Sequence, residues 1–300
     1  MSIINNLKYR FELLNIAEKI ILLNVIIFII PFFIKTFFFL FNIESLDLIY
    51  WLKLSPDILT FIFAPWTIIT YGFIHGGISH ILWNMILLYF SSRFFLNLFS
   101  AQKFLNTYFL GIILGGIIFL FSFSIFPVFK NSYANLIGSS AGVMSVLIFV
   151  CSYSPDQEIR IIFFNLKLKY LGIALVLIDI IQIPSGNAGG NLAHLGGSLF
   201  GFIYANQLKN GNDIGLFFEK FLFSFYKFFK KPVRLKTVHK NKNTNRTSID
   251  KQKRVDDILD KISNSGYDSL SKEEKDFLFK IGKDKSVSYT HLTLPTKLAV

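Results

Sequence analysis

Cysteine is nearly absent from this 300-residue sequence. The single residue, Cys151, sits inside an apolar run, so an intramolecular disulfide is excluded. No CxxC pair and no Cys/His cluster is present, which removes structural zinc, and no motif calls for a metal or other cofactor. Charge is also scarce, at 17% of residues against 52% hydrophobic, with a mean hydropathy of +0.50. Those proportions exclude a soluble globule. The formal charge of +12 is unevenly spread: 11 basic against 8 acidic residues up to Leu208, and 20 against 11 beyond it. A basic tail beside apolar runs fits anionic membrane lipid. No nucleic-acid-binding motif accompanies it, so nucleic acid is not an expected partner.

What is abundant is apolar length. Phe alone occurs 36 times, and runs long enough to cross a bilayer occupy roughly 18–41, 78–99, 102–126, 138–153, 167–184 and 190–208. The expected fold is an all-α polytopic membrane protein with six transmembrane helices. Strands of a barrel are excluded by span length and by the lack of alternation. The first run is too long for a cleaved signal peptide and reads as a signal anchor. Gly111–Gly115 and Gly197–Gly201 have the four-residue spacing that lets helix backbones approach.

Lys and Arg cluster at one set of span ends (Lys8, Arg10, Lys19; Arg93, Lys103; Arg160, Lys167, Lys169; Lys209 onward), placing both termini in the cytoplasm. Phe, Ile, Asn and Lys are what AT-rich codons supply, and point to a bacterial inner membrane. Residues 42–77, with Trp51, Trp66, Pro56 and Pro65, read as an interfacial connection. After the membrane domain of residues 1–208, residues 209–235 read as an amphipathic interfacial helix and 236–254 as a basic linker. Residues 255–286 form a small cytoplasmic two-helix appendage, a candidate surface for a protein partner, with a capping box at Ser271 and Glu274. Residues 287–300 contain VSYTHLTLPT, which resembles a translated sequencing adapter and is excluded from fold reasoning.

Ionisable and polar residues inside spans are costly and therefore candidates for chemistry. They comprise His75, His80 and Asn84 around the start of the second span, Ser139 and Ser140 at the fourth, Asp179 in the fifth and His194 in the sixth. Spans two, four and six run in the same direction, so their N-terminal ends lie at one depth. Gly138-Ser139-Ser140-Ala141-Gly142 is GxSxG, whose small neighbours leave the Ser140 hydroxyl accessible for attack on a carbonyl. By itself it reads more readily as a packing motif; His194 at the same depth adds a general base. Asn84 lies one turn after His80, and both side chains can donate toward an oxyanion beside Ser140. Asp179, next to Gln182, is claimed by no motif and reads as hydrogen-bonded or interfacial, since a Ser–His dyad needs no carboxylate. Histidine spacing of five residues without an HExxH motif or a companion carboxylate argues against a metal site.

Taken in order, Trp66, His75-x4-His80-x3-Asn84, GxSxG around Ser140, and Ala193-His194-x2-Gly197-x3-Gly201 resemble the rhomboid intramembrane serine proteases over roughly residues 18–208. The resemblance implies a six-helix rhomboid bundle that cleaves transmembrane protein substrates, with Ser140 as nucleophile and His194 as base. Asn84, His80 and the Ser140 backbone N–H would bind the oxyanion. His75, Gly138, Trp66, Gly197 and Gly201 would support the site. The sequence departs from the family pattern at Thr67, where many members carry Arg, and at Met144, where Tyr or Phe often packs on the catalytic histidine. A non-catalytic relative that holds or escorts transmembrane clients is the alternative.

Overall fold

The computed structural model describes residues 3–43, 49–130, 134–161, 164–220 and 243–284, which fall into two units, 1–231 and 232–300. In the first unit, α1 (Ile3–Leu13) precedes α2 (Ile16–Leu40). Asn15 opens α2 with a reciprocal cap: its Oδ1 accepts from Glu18 N–H at 3.0 Å, and Glu18 Oε2 accepts from Asn15 N–H at 2.8 Å. The connection that follows contains two short helices, α3 (Ile58–Phe63) and α4 (Thr67–Thr70). Then come α5 (Ile78–Leu98), α6 (Ala101–Ile125), α7 (Ser140–Tyr153), a hairpin of β1 (Glu158–Ile161) with β2 (Phe164–Lys167), α8 (Leu168–Gln182) and α9 (Ala188–Lys209).

Among the described residues, four segments are long and apolar enough to cross a membrane: Ile16–Leu40, Ile78–Leu98, Ala101–Ile125 and Leu168–Ser185. The other two expected spans are helical but differ in kind. α7 is apolar and only 14 residues long. α9 has 22 residues, but Asn191, His194, Asn206 and Gln207 lower its hydropathy.

The core is built around α7. Every side chain from Ala141 to Cys151 is buried, and α5, α6, α8 and α9 pack around it. A helix apolar on all sides belongs inside a bundle. Small residues set its distance from two neighbours. A Cβ added to Gly111 would fall 2.3 Å from Ser145 Cβ, and one on Gly115 would fall 2.5 Å from Ala141 Cβ. A Cβ on Gly197 would fall 2.0 Å from the Ala141 carbonyl oxygen, and one on Gly201 2.1 Å from that of Ser145. Both glycine pairs therefore close onto the same two positions of α7, one from α6 and one from α9.

The outer connection is tied to the bundle by its backbone. Leu54 and Leu136 exchange N–H···O bonds of 3.1 and 2.8 Å. Trp66 Nε1–H donates to the Trp51 carbonyl at 2.8 Å, and the Thr70 hydroxyl to that of Leu52 at 2.9 Å. At the opposite end Asp213 accepts from Tyr204 OH at 2.7 Å and pairs with Lys103, while Asn106 donates to Glu219 at 2.7 Å. Burial raises the Asp213 carboxyl, but the Lys103 and Tyr204 hydrogen bonds outweigh it and hold the group below the usual carboxylate range. Most of the expected interfacial helix over 209–235 lies outside the described residues, as does the 287–300 tail.

In the second unit, α10 (Asn243–Ser265) and α11 (Lys272–Asp284) are joined through Gly266 at φ +78°. The helix begins at Asn243, so the stretch read as linker up to residue 254 is helical from that point. No Gly or Pro interrupts it, and Arg254 lies 4.7 Å over the Phe277 ring. Ile258 and Leu270 are buried, and Ser271 and Glu274 form the expected capping box at 3.3 and 2.8 Å.

Candidate active site

α7 begins at Ser140, immediately after Gly138 and Ser139. Gly138 adopts φ +115°, a region costly for any residue with a Cβ, and its N–H donates to the Tyr71 carbonyl at 3.0 Å. A Cβ there would fall 2.7 Å from His80 Nε2 and 3.5 Å from Ser140 Oγ. The missing side chain is what lets the imidazole and the hydroxyl converge on one spot. His75 Nε2 and Ser139 Oγ are 3.2 Å apart, and the His75 and His80 rings meet edge to face at 5.1 Å. Burial, then the neighbouring His80, pushes the His75 imidazole down to about 4.

The donors are oriented locally. Gly76 N–H approaches His80 Nδ1 at 3.5 Å, an arrangement that leaves the ring proton on Nε2, the atom facing Ser140. Asn84 is buried and donates one amide hydrogen to the His80 carbonyl at 2.9 Å, which fixes the side chain and leaves a second hydrogen to donate. Ser140, as the first residue of α7, has a backbone N–H with no partner inside the helix.

On α9, His194 lies one turn before Gly197, whose close contact with Ala141 brings the histidine to the depth of Ser140. His194 Nδ1 is 2.8 Å from Asp179 Oδ1. A carboxylate at that distance accepts a hydrogen bond from Nδ1–H, which keeps the proton on Nδ1 and leaves the Nε2 lone pair as the acceptor. Ser140, His194, His80, Asn84 and Met144 line one cavity of 1390 Å³. Among the described residues, no hydrogen bond joins the Ser140 hydroxyl to the His194 ring.

Residues 63–210 match the rhomboid domain. The chain belongs to the rhomboid family. Among curated proteins it is 29% identical over 136 residues to the mitochondrial presenilin-associated rhomboid-like protein of Bos taurus, and 30% identical over 137 residues to protein A of that name from Danio rerio. Each match takes in 44% of this chain and 35% of the relative. The mitochondrial RHOMBOID-like protein 12 of Arabidopsis thaliana is 29% identical over 157 residues, 48% of this rhomboid chain and 47% of its own. The rhomboid thus spans about a third to a half of the length of these relatives. Residues 236–282 match a family of unknown function, DUF6576.

These names overturn the placement in a bacterial inner membrane with cytoplasmic termini: the relatives are named as mitochondrial. Codon-driven composition does not identify a compartment, and the Lys and Arg asymmetry orders the two faces of the rhomboid without naming them.

The supporting residues of the motif occupy distinct places in this rhomboid. Trp66 is half-exposed and holds the outer connection, and Thr67 beside it is buried, its hydroxyl donating to the Ala64 carbonyl at 2.6 Å. Gly197 and Gly201 set the α7–α9 distance. Asp179, expected to be hydrogen-bonded or interfacial, is hydrogen-bonded; what sequence reasoning missed is its partner, His194. Its signal was depth: α8 runs opposite to α9, so a carboxylate near the C-terminal end of α8 reaches the level of a histidine near the start of α9.

Proposed function

We propose that this rhomboid is an intramembrane serine endopeptidase acting on transmembrane helices of other membrane proteins. The reading is carried by His194, held by the buried Asp179 at 2.8 Å and lining the same cavity as Ser140, His80 and Asn84. A substrate carbonyl over Gly138 would be attacked by Ser140 Oγ while His194 Nε2 takes its proton. The developing oxyanion would meet the His80 and Asn84 side chains and the Ser140 N–H. No group beyond these side chains is required.

The reading assigns six spans, α2 and α5 to α9, with the short α7 enclosed by the others. Its boundaries are a membrane domain over 1–208, an interfacial segment over 209–235, a linker ending near Asn243 and the two-helix unit after it. A mitochondrial membrane is the location carried over from the relatives' names, and "presenilin-associated" in two of those names makes a membrane-protein partner a reasonable one to test.

A second reading, a non-catalytic rhomboid that binds or escorts transmembrane clients, is favoured by two observations. The Ser140 hydroxyl is not bonded to His194, and Met144 offers a thioether where an aromatic ring would brace the imidazole. "Rhomboid-like" in the relatives' names is consistent with it.

Labelling of the detergent-solubilised protein with a fluorophosphonate separates the two, because it requires an activated serine. The expected result is labelling of the parent, none of Ser140→Ala or His194→Ala, and matching loss of cleavage of a reporter transmembrane helix. Cleavage retained by either variant refutes the assignment. A folded parent that binds the reporter helix without labelling establishes the client-binding reading.

A further inference from the structure

We infer that Asp179 is the positioning residue of the catalytic base, holding His194 with its proton on Nδ1 and the Nε2 lone pair turned to Ser140. The inference rests on the protease reading and deepens it: the acid–base unit spans three helices, with hydroxyl on α7, imidazole on α9 and carboxylate on α8. Asp179 is 7% exposed, its Oδ1 lies 2.8 Å from His194 Nδ1, and its Oδ2 is buried with no hydrogen-bond partner. A carboxylate is rarely kept so deep inside a bundle without a task, because its removal from water is costly unless its partner returns the loss.

The surroundings make His194 that partner. The charged and titratable groups facing it are Asp179 from α8 and His80 from α5, with His75 behind His80 and the neutral hydroxyls of Ser139 and Ser140 from the α7 end. No lysine or arginine lines the cavity among the described residues. When His194 accepts the Ser140 proton it becomes a cation, and Asp179 is the anion in hydrogen-bond contact with it. With Asp179 only 7% exposed, the pair is partly shielded from water and interacts more strongly than an exposed pair would. The carboxylate does not take the proton; it fixes the tautomer and stabilises the imidazolium.

The α8–α9 connection suits this task. The segment from Ile183 to Asn187 is a tight reversal with Gly186 at φ +114°, so the two helices are held close at the level where Asp179 and His194 meet.

The test combines kinetics with a signature that does not depend on activity. Parent, Asp179→Asn and Asp179→Glu proteins, labelled with ¹⁵N in the histidine rings, are compared by NMR, with His194→Gln used to assign the His194 resonances. Cleavage of the reporter helix gives kcat and KM on the same samples. In the parent, His194 is expected as the Nδ1–H tautomer. In Asp179→Asn the Nε2–H tautomer becomes populated and kcat falls roughly 10²-fold with KM changed less than about twofold. Asp179→Glu keeps the parental tautomer and recovers much of the rate.

An unchanged His194 tautomer in a folded Asp179→Asn protein overturns the inference, as does an unchanged kcat where the parent cleaves. If the parent does not cleave but the tautomer follows residue 179, the positioning contact stands and the protease reading is what fails.

Discussion

Gly197→Ala adds one methyl group at the point where α9 lies closest to α7. Its Cβ would fall 2.0 Å from the Ala141 carbonyl oxygen, 2.7 Å from that carbonyl carbon and 3.0 Å from Ala141 Cα. All three atoms are backbone of a fully buried helix, so no rotamer change relieves the clash. Ordinary contact begins near 3.4 Å, so the two helices must separate by about 1.4 Å, and overpacking of this kind costs about 1–3 kcal/mol. Ser140 precedes Ala141 directly, and His194 lies one turn before Gly197, so the separation is imposed almost wholly on the distance between hydroxyl and imidazole. A misplacement of about 1 Å is enough to slow chemistry roughly 10²-fold. The assay is thermal unfolding in detergent together with the rate of fluorophosphonate labelling. Gly77→Ala is the control, since its backbone is extended at φ 179° and a Cβ there meets nothing within 4 Å. A Gly197→Ala protein with parental melting temperature and parental labelling would refute the steric argument, and parental melting alone would already show that the helices separate without cost.

Two further predictions concern regions away from that contact. His75 is held at about 4 in the folded protein against an ordinary value of 6.5, so between those values the unfolded chain binds a proton that the native state refuses. Stability is therefore complete above about pH 6.5 and falls as pH drops toward 4, by up to about 3 kcal/mol; melting temperatures measured across that window should slope for the parent and flatten for His75→Gln. At the other end of the bundle, Lys103→Met leaves Asp213 with Tyr204 and the Gly215 N–H but no cation. A loss of about 2 kcal/mol is expected, and Asp213→Asn in the same protein should restore most of it; equal melting of Lys103→Met and parent would show that the pair contributes nothing.

Much of the architecture was legible because apolar length is a local signal. The six runs begin within two residues of the helices they become, as at 78 for α5 and 167 for α8. The GxxxG spacings pointed to packing faces, though not to their shared target at Ala141 and Ser145, since a spacing names one surface of a contact and not the other. Asp179 shows the same limit. Its depth could be computed from the direction of α8, but its partner depends on how α8 rotates about its axis, which no single-helix pattern encodes. The β1–β2 hairpin was passed over because four-residue strands between polar turns carry little periodicity. The helix from Asn243 was read as linker because its apolar positions are sparse until Val255, where the packed face begins.

Because α7 touches protein on every side, it is exempt from a constraint that binds its neighbours. A lipid-facing helix must match the hydrocarbon thickness of about 30 Å or tilt and thin the bilayer around it. At 14 residues, α7 is about 21 Å long, and on the six-span reading it leaves a deficit of about 9 Å that the surrounding helices absorb. The protease reading assigns the deficit to the Ser140 end, where Ser140 and His194 line the cavity. On that reading Ser140 stands at the bottom of a well whose depth is set by the difference between one helix and its ring of neighbours. Lengthening α7 by two turns would raise its start to the membrane surface and remove the well.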